Sequence, residues 1–313
     1  KRTFEKLDEY KNMNLDIHTF FEMMGLIGDL SNNREDYASF YHNHNGKKIR
    51  HDRVHNIYGA NMMRAAGEAF KRNYPDREFL MFARSSYIGA HRYGGIWLGD
   101  NHSWWEHLRL VIRQLPGVNM AGFLFSGPDT GGFGSECTED LLMRWLEFSI
   151  FVPLLRDHYA QDTREQEFYR FGRTEDFRNI IRLRYALIPY LYEVFKRAAE
   201  DGGMYFKPLA FEYGDDERAC GVEDQLLLGD DIMLAPVCEQ NASGRYVYLP
   251  EDMRMYRFRS ETDYDTLDLK AGDHYIRLSL NELAVFVRPG KNFYLVPSAD
   301  RVEKLDISDK KIF

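Results

Sequence analysis

Asp100 sits in Gly94-Gly95-Ile96-Trp97-Leu98-Gly99-Asp100-Asn101-His102-Ser103-Trp104-Trp105, which puts a carboxylate within five residues of three indoles. An apolar aromatic wall disfavours the charged form of a carboxyl and so keeps it able to donate a proton near neutral pH. Cleavage of a glycosidic bond needs such a group. One carboxyl protonates the leaving oxygen while a second, across the sugar ring, attacks the anomeric carbon or activates water. The same letters also read as an Asx turn ahead of a helix, with Asp100 or Ser103 as its N-cap. On residue types alone both readings stand.

Asp129 lies in Ser126-Gly127-Pro128-Asp129-Thr130-Gly131-Gly132-Phe133-Gly134, where missing side chains let a ligand approach the backbone. A carboxylate there could clamp a polyol or cap a turn. No Gly-Lys-Ser/Thr follows, which disfavours a phosphate loop. Arg156-Asp157-His158 combines donors and an acceptor suited to sugar hydroxyls. His51 and His55 stand one helical turn apart, as metal ligands would, and His42 and His44 lie in a polar stretch. No His-Glu-x-x-His and no evident third ligand accompany them, so no metal is expected. Asn101-His102-Ser103 and Asn241-Ala242-Ser243 match the glycosylation acceptor pattern, which has meaning only in a secretory pathway.

The elements that must position these residues alternate. Short apolar runs at Phe79–Ala83, Gly94–Leu98, Met120–Phe125 and Ser149–Leu154 suit buried strands, and helix-compatible stretches at Trp104–Gln114 and Glu139–Glu147 separate them. Strand and helix in alternation imply a parallel sheet. Each run leads into polar residues: Arg84, Asp100, Asp129 and Arg156-Asp157-His158. The C-terminal ends of parallel strands are where α/β barrels and open sheets carry chemistry. Before the runs, Phe20, Met23, Met24 and Ile27 mark a helical surface excursion, and Val54–Arg72 reads as a core-facing helix. After them, Phe177–Ala199 reads as a long amphipathic helix. Then Tyr246–Pro250, Tyr275–Leu278 and Ala284–Val287 read as strands of a second, all-β domain.

Composition bounds the partners. The 313 residues are 44% hydrophobic and 15% aromatic, enough for a sizeable core. With 41 basic against 49 acidic residues the net charge is −8, so nucleic acid is not an expected partner. No apolar run reaches the roughly 18 residues of a membrane span. The three cysteines, Cys137, Cys220 and Cys238, lack disulfide or metal spacing and suit a reducing compartment, so a cytoplasmic location is expected.

Several strings, in order, resemble one family. Phe82-Ala83-Arg84-Ser85-Ser86-Tyr87-Ile88-Gly89, Arg92-Tyr93-Gly94 and Trp97-Leu98-Gly99-Asp100-Asn101 resemble the acid/base region of glycoside hydrolase family 31. Ser126-Gly127-Pro128-Asp129 with Gly132-Phe133, then Arg156-Asp157-His158, match its next active-site segments. Leu228–Val237 and Arg245–Pro250 match the start of its β domain. The resemblance runs from about Tyr41 to Pro297, and ordered motifs together are more specific than any one.

The resemblance implies the C-terminal half of a TIM (β/α)8 barrel followed by an all-β sandwich. Residues 1–204 would hold strands five to eight with the N-terminal helical excursion, 205–297 the proximal β domain, and 298–313 the start of a truncated distal one. It implies a retaining α-glucosidase acting on α-glucoside oligosaccharides without cofactor or metal, with α-xylosidase activity or non-catalytic carbohydrate binding as alternatives. Asp100 would be the general acid/base. Arg84 and His158 would hydrogen-bond the sugar, Asp129 would bind hydroxyls, and Trp97 and Phe133 would wall the terminal glucose. The family's nucleophile belongs to a Trp-x-Asp-Met-Asn-Glu motif that this sequence lacks; Asn12-Met13-Asn14-Leu15-Asp16 is only an echo of it. The expectation is therefore a piece of an enzyme, with strand five as an unpaired edge to be covered by the N-terminal portion or by self-association.

Overall fold

The computed structural model describes residues 8–11, 16–32 and 34–313. Most of the Asn12–Asp16 echo lies outside them. Asp16 itself starts α1 (Ile17–Asn32): its Oδ1 accepts the Thr19 N–H at 2.8 Å. Phe20, Phe21 and Met24 on that helix are exposed, as an excursion over the surface would leave them. α2 (Arg34–Ser39) leads into an antiparallel hairpin of β1 (Tyr41–His44) and β2 (Lys47–Arg50). Its Asn45-Gly46 turn has φ of 52° and 80°, the residue pair that two left-handed positions favour. α3 (His55–Asn73) follows.

The strands of the barrel half come next: β3 (Phe82–Ala83), β4 (Gly95–Trp97), β5 (Ser126–Gly127), β6 (Asp129–Thr130) and β7 (Arg156–Asp157). β3 pairs β4, β4 pairs β5, and β6 pairs β7, all in parallel. β5 and β6 are one strand interrupted at Pro128, which has no N–H for the ladder. The Leu154 N–H donates to Ser126 O at 3.3 Å and so carries the pairing past the break. Close approach demands glycine here. A Cβ on Gly95 would stand 2.1 Å from Phe125 O, and one on Gly127 2.1 Å from Leu154 O.

Crossovers are made by α4 (Trp105–Met120) and α5 (Glu139–Ser149). Two of the expected strands start too early. Met120 ends a helix and Ser149 ends another; the paired residues begin only at Ser126 and, for the last strand, at Arg156. In α5, Leu141 through Ser149 are all buried. The rest of the apolar run that begins at Ser149, residues 150–154, is a mostly buried turn after the helix, and a buried apolar connection reads as the same run as a buried strand.

α6 (Thr174–Asp201) lays a stripe of Phe177, Ile180, Leu183, Leu187, Leu191 and Val194 on the core, at the three- and four-residue spacing of one helix face. It ends at Gly202, φ 68°, a left-handed stop. Beyond it lie β8 (Phe206–Pro208), α7 (Glu217–Cys220), β9 (Leu226–Leu228), β10 (Ile232–Leu234), β11 (Gly244–Leu249), β12 (Met253–Phe258), β13 (Tyr264–Leu269), β14 (Gly272–Arg277) and β15 (Leu283–Val287). An antiparallel sheet in the order β13-β12-β15-β10-β9-β8 faces the β11-β14 pair. Met233, Met253, Met255 and Phe286 pack with Val247, Leu249 and Ile276 of that pair, while Leu228, Ile232, Tyr256 and Val285 join the core shared with α5 and α6. The larger sheet is thus buried on both faces, which explains its apolar runs.

Residues 298–313, expected to open a further unit, return to the second one. β17 (Lys311–Ile312) pairs antiparallel with β16 (Tyr294–Leu295), and the Phe313 ring stacks on Phe293 at 5.0 Å. Across the seam, Arg144 of α5 is 2% exposed. Its guanidinium donates to Glu147 Oε2 (3.0 Å) and to the carbonyls of Ala242 (3.2 Å), Leu278 (2.8 Å) and Glu282 (3.2 Å). No helix among the described residues is long and apolar enough to cross a membrane.

Candidate active site

Arg84 follows β3 directly, Asp100 lies three residues past β4, Asp129 opens β6, and His158 follows β7. The parallel register therefore delivers all four to one end of the sheet. Gly99, with φ +90°, turns the chain after β4. Asp100 Oδ2 then accepts from Arg84 Nη1 at 3.4 Å, with both side chains about half exposed. So open an ion pair contributes about 0–1 kcal/mol to stability. Its placement is a matter of function. Neither Asp100 nor Ser103 caps the next helix, where Trp104 is the N-cap residue and offers no side-chain bond.

Trp97 is the indole that belongs to this site. The Arg84 guanidinium stands 5.0 Å from its ring centre and that of Arg156 4.9 Å, an arrangement in which the ring's negative face attracts both cations. Trp104 instead stacks on His102, and Trp105 packs against the core. Below Trp97 lies Asp129, with no exposed surface. Its Oδ1 accepts from Trp97 Nε1 (3.0 Å), Arg156 Nε (2.8 Å) and Arg156 Nη2 (2.5 Å), while Oδ2 has no partner. Burial pushes its pKa up, against the opposing pull of Arg156, His158 and the Trp97 N–H. Asp129, expected to bind hydroxyls, holds the indole and the guanidinium in place through Oδ1.

Asn101 ties this floor to the next wall. Its Nδ2 donates to Asp129 O (2.9 Å), and its Oδ1 accepts the Phe133 N–H (3.0 Å). The Gly-rich turn passes so close that a Cβ on Gly132 would stand 2.3 Å from Ser103 N. Phe133 then meets His158, ring centres 5.2 Å apart. Arg84, Trp97, Asp100, Asp129, Phe133 and His158 thus form one connected set.

Sequence reasoning missed Asn101 and Gln166, and it named Arg156 as a donor to sugar hydroxyls without seeing it as the partner of Asp129. Arg156 was within a quoted motif, and the signal for it is register: Asp129 and Arg156 are direct partners on β6 and β7. Asn101 adjoins Asp100 and needed the fold to show its partners. Gln166 had no signal at all. The histidines named as metal candidates bond to one another: His42 Nε2 lies 2.8 Å from His51 Nδ1, and His51 Nε2 lies 3.0 Å from His55 Nδ1. That spends both ring nitrogens of His51. Among the described residues no group of three or more His, Cys, Asp or Glu has an arrangement that would hold a metal ion.

Comparison with known proteins agrees with this geometry. Residues 7–194 match the glycosyl hydrolases family 31 TIM-barrel domain, and 202–291 match the family 31 C-terminal domain. Alpha-glucosidase 2 of Bacillus thermoamyloliquefaciens is 33% identical, over 80% of this chain and 31% of its own length. Among solved structures, the glucosidase II alpha subunit superposes with a TM-score of 0.73 at 28% identity, covering 81% of this chain and 28% of that one. A Flavobacterium johnsoniae dextranase of the family, complexed with glucose, gives 0.74 at 27% identity, covering 86% and 34%. The chain spans about a third or less of each of these relatives. With two consecutive domains matched in order and a barrel half carrying its polar residues at the strand ends, the chain belongs to glycosyl hydrolase family 31.

Proposed function

We propose that this chain carries the acid/base half of a retaining α-glucosidase, which releases glucose from the end of α-linked oligosaccharides when the rest of the barrel is in place. The observation that carries the reading is the meeting of Arg84 and Asp100 beside Trp97, at the ends of neighbouring parallel strands. Asp100 protonates the glycosidic oxygen and then, as carboxylate, takes a proton from the water that hydrolyses the glycosyl-enzyme. Arg84 and His158 supply donors to the sugar. Trp97 and Phe133 wall it, with Asp129 and Arg156 fixing the indole. The attacking carboxylate comes from the part of the barrel that the resemblance places ahead of this chain, and a retaining pair stands about 5–5.5 Å apart.

The test uses the protein containing this chain together with the preceding barrel strands, assayed on a nitrophenyl α-glucoside. Asp100→Asn should lower kcat by about 10²–10⁴-fold with thermal stability unchanged. No hydrolysis by the parent protein, or undiminished hydrolysis by the variant, would refute the assignment.

A further inference from the structure

Gln166 lies eight residues past His158 and outside every motif, yet its side chain has no exposed surface. Its Nε2 sits 3.0 Å from Gly132 O, 3.3 Å from Thr130 O and 2.9 Å from Asp157 Oδ1. Two of these acceptors belong to the turn that carries Phe133, and the third to the residue before His158. The amide can face only one way, because a flipped group would set its oxygen against three others. The turn needs such a support. Gly131 and Gly132 hold φ of +86° and +100°, outside any ladder, so the turn depends on contacts from outside itself, and the Gln166 amide reaches two of its carbonyls.

We propose that Gln166 is a positioning residue for the sugar pocket, an internal strut that fixes the Phe133 wall against the His158 donor so that both reach one glucose. This rests on the α-glucosidase reading for the identity of the sugar, but not for the existence of the strut. The hydrogen bonds of Gln166 go to neither ring. It acts through the backbone on one side of the pocket and through Asp157 on the other, and the ring contact between Phe133 and His158 closes the circuit. The pocket wall and the hydrogen-bond donor therefore move together or not at all.

The experiment compares Gln166→Met, which keeps the volume and drops the donor, and Gln166→Glu, which presents an oxygen to three oxygens, in the intact enzyme. For both, KM on the nitrophenyl α-glucoside and Kd for glucose should rise about tenfold while kcat changes less than threefold. In a Phe133→Ala background the further effect of Gln166→Met should largely vanish. A KM within twofold of the parent in Gln166→Met, or full additivity with Phe133→Ala, would overturn the proposal. Amide exchange at residues 130–134 reads the strut whatever the substrate: faster exchange in Gln166→Met supports it, and unchanged exchange removes it. A parent enzyme that ignores α-glucosides while its variant loosens this turn would displace the substrate reading and leave the strut standing.

Discussion

In the β-sandwich the larger sheet is covered on both sides, and its buried residues divide cleanly between two cores. The barrel half is built the other way. Phe82 on β3 is 44% exposed and Leu80 just before it 63%, and the Arg84–Asp100 pair stands in the open. The sandwich and the helices against it store stability, while the first barrel strand and the polar groups beside it stand at an exposed edge. Chemistry and stability are therefore drawn from different residues, and substitutions should separate them.

The largest separation is expected from Phe286→Ala, which opens a hole between the two sheets. It should cost about 3–5 kcal/mol, read as a lower midpoint in chemical denaturation, with kcat/KM per folded molecule unchanged. A proportionate loss of activity would mean that the sandwich shapes the site. The converse variant is Arg156→Met. It leaves the buried Asp129 carboxylate without its cation and should raise KM severalfold while costing about 2 kcal/mol, less than a fully enclosed pair because Arg156 is partly exposed. If stability falls as far as in Phe286→Ala, the contrast between the two regions fails.

A smaller effect depends on pH. Burial pushes the Asp157 carboxyl up to about 7, with Glu167 and Asp129 adding to the rise against the Gln166 hydrogen bond. The folded protein keeps that proton up to about pH 7, whereas the unfolded chain releases it near 4. Stability from this group is thus complete below about pH 4 and lost as pH rises through 7. Asp157→Asn retains an oxygen for Gln166 and never charges. Its Tm should match the parent at pH 4 and exceed it at pH 8, as thermal unfolding at the two pH values would read. A constant offset across that range would show that the carboxyl does not titrate there.

Much of this site was legible because ordered polar residues follow apolar runs: Arg84, Asp100 and His158 join the set their positions suggested, and Trp97 and Phe133, which the family resemblance supplied, connect to them. The strand limits were less so. Met120 and Ser149 looked like strand starts because the turns that follow both helices are apolar, so no polar residue marks where the helical period stops. The burial of Asp129 was hidden for another reason. A carboxylate is ordinarily exposed, and its cross-strand partner Arg156, with the Trp97 N–H, permits otherwise. Gln166 was invisible because its partners lie up to 36 residues away and an amide in a polar stretch carries no mark of burial.

Arg144 shows that a cut in the chain near residue 204 does not cut the forces. By sequence it is a barrel residue, yet its guanidinium finishes two loops of the sandwich, at Ala242 before β11 and at Leu278 and Glu282 between β14 and β15. Grafting this sandwich onto a foreign barrel would strand those carbonyls without donors, unless an arginine at the same place travelled with it. The module that can be inherited or transplanted whole is the sandwich plus α5.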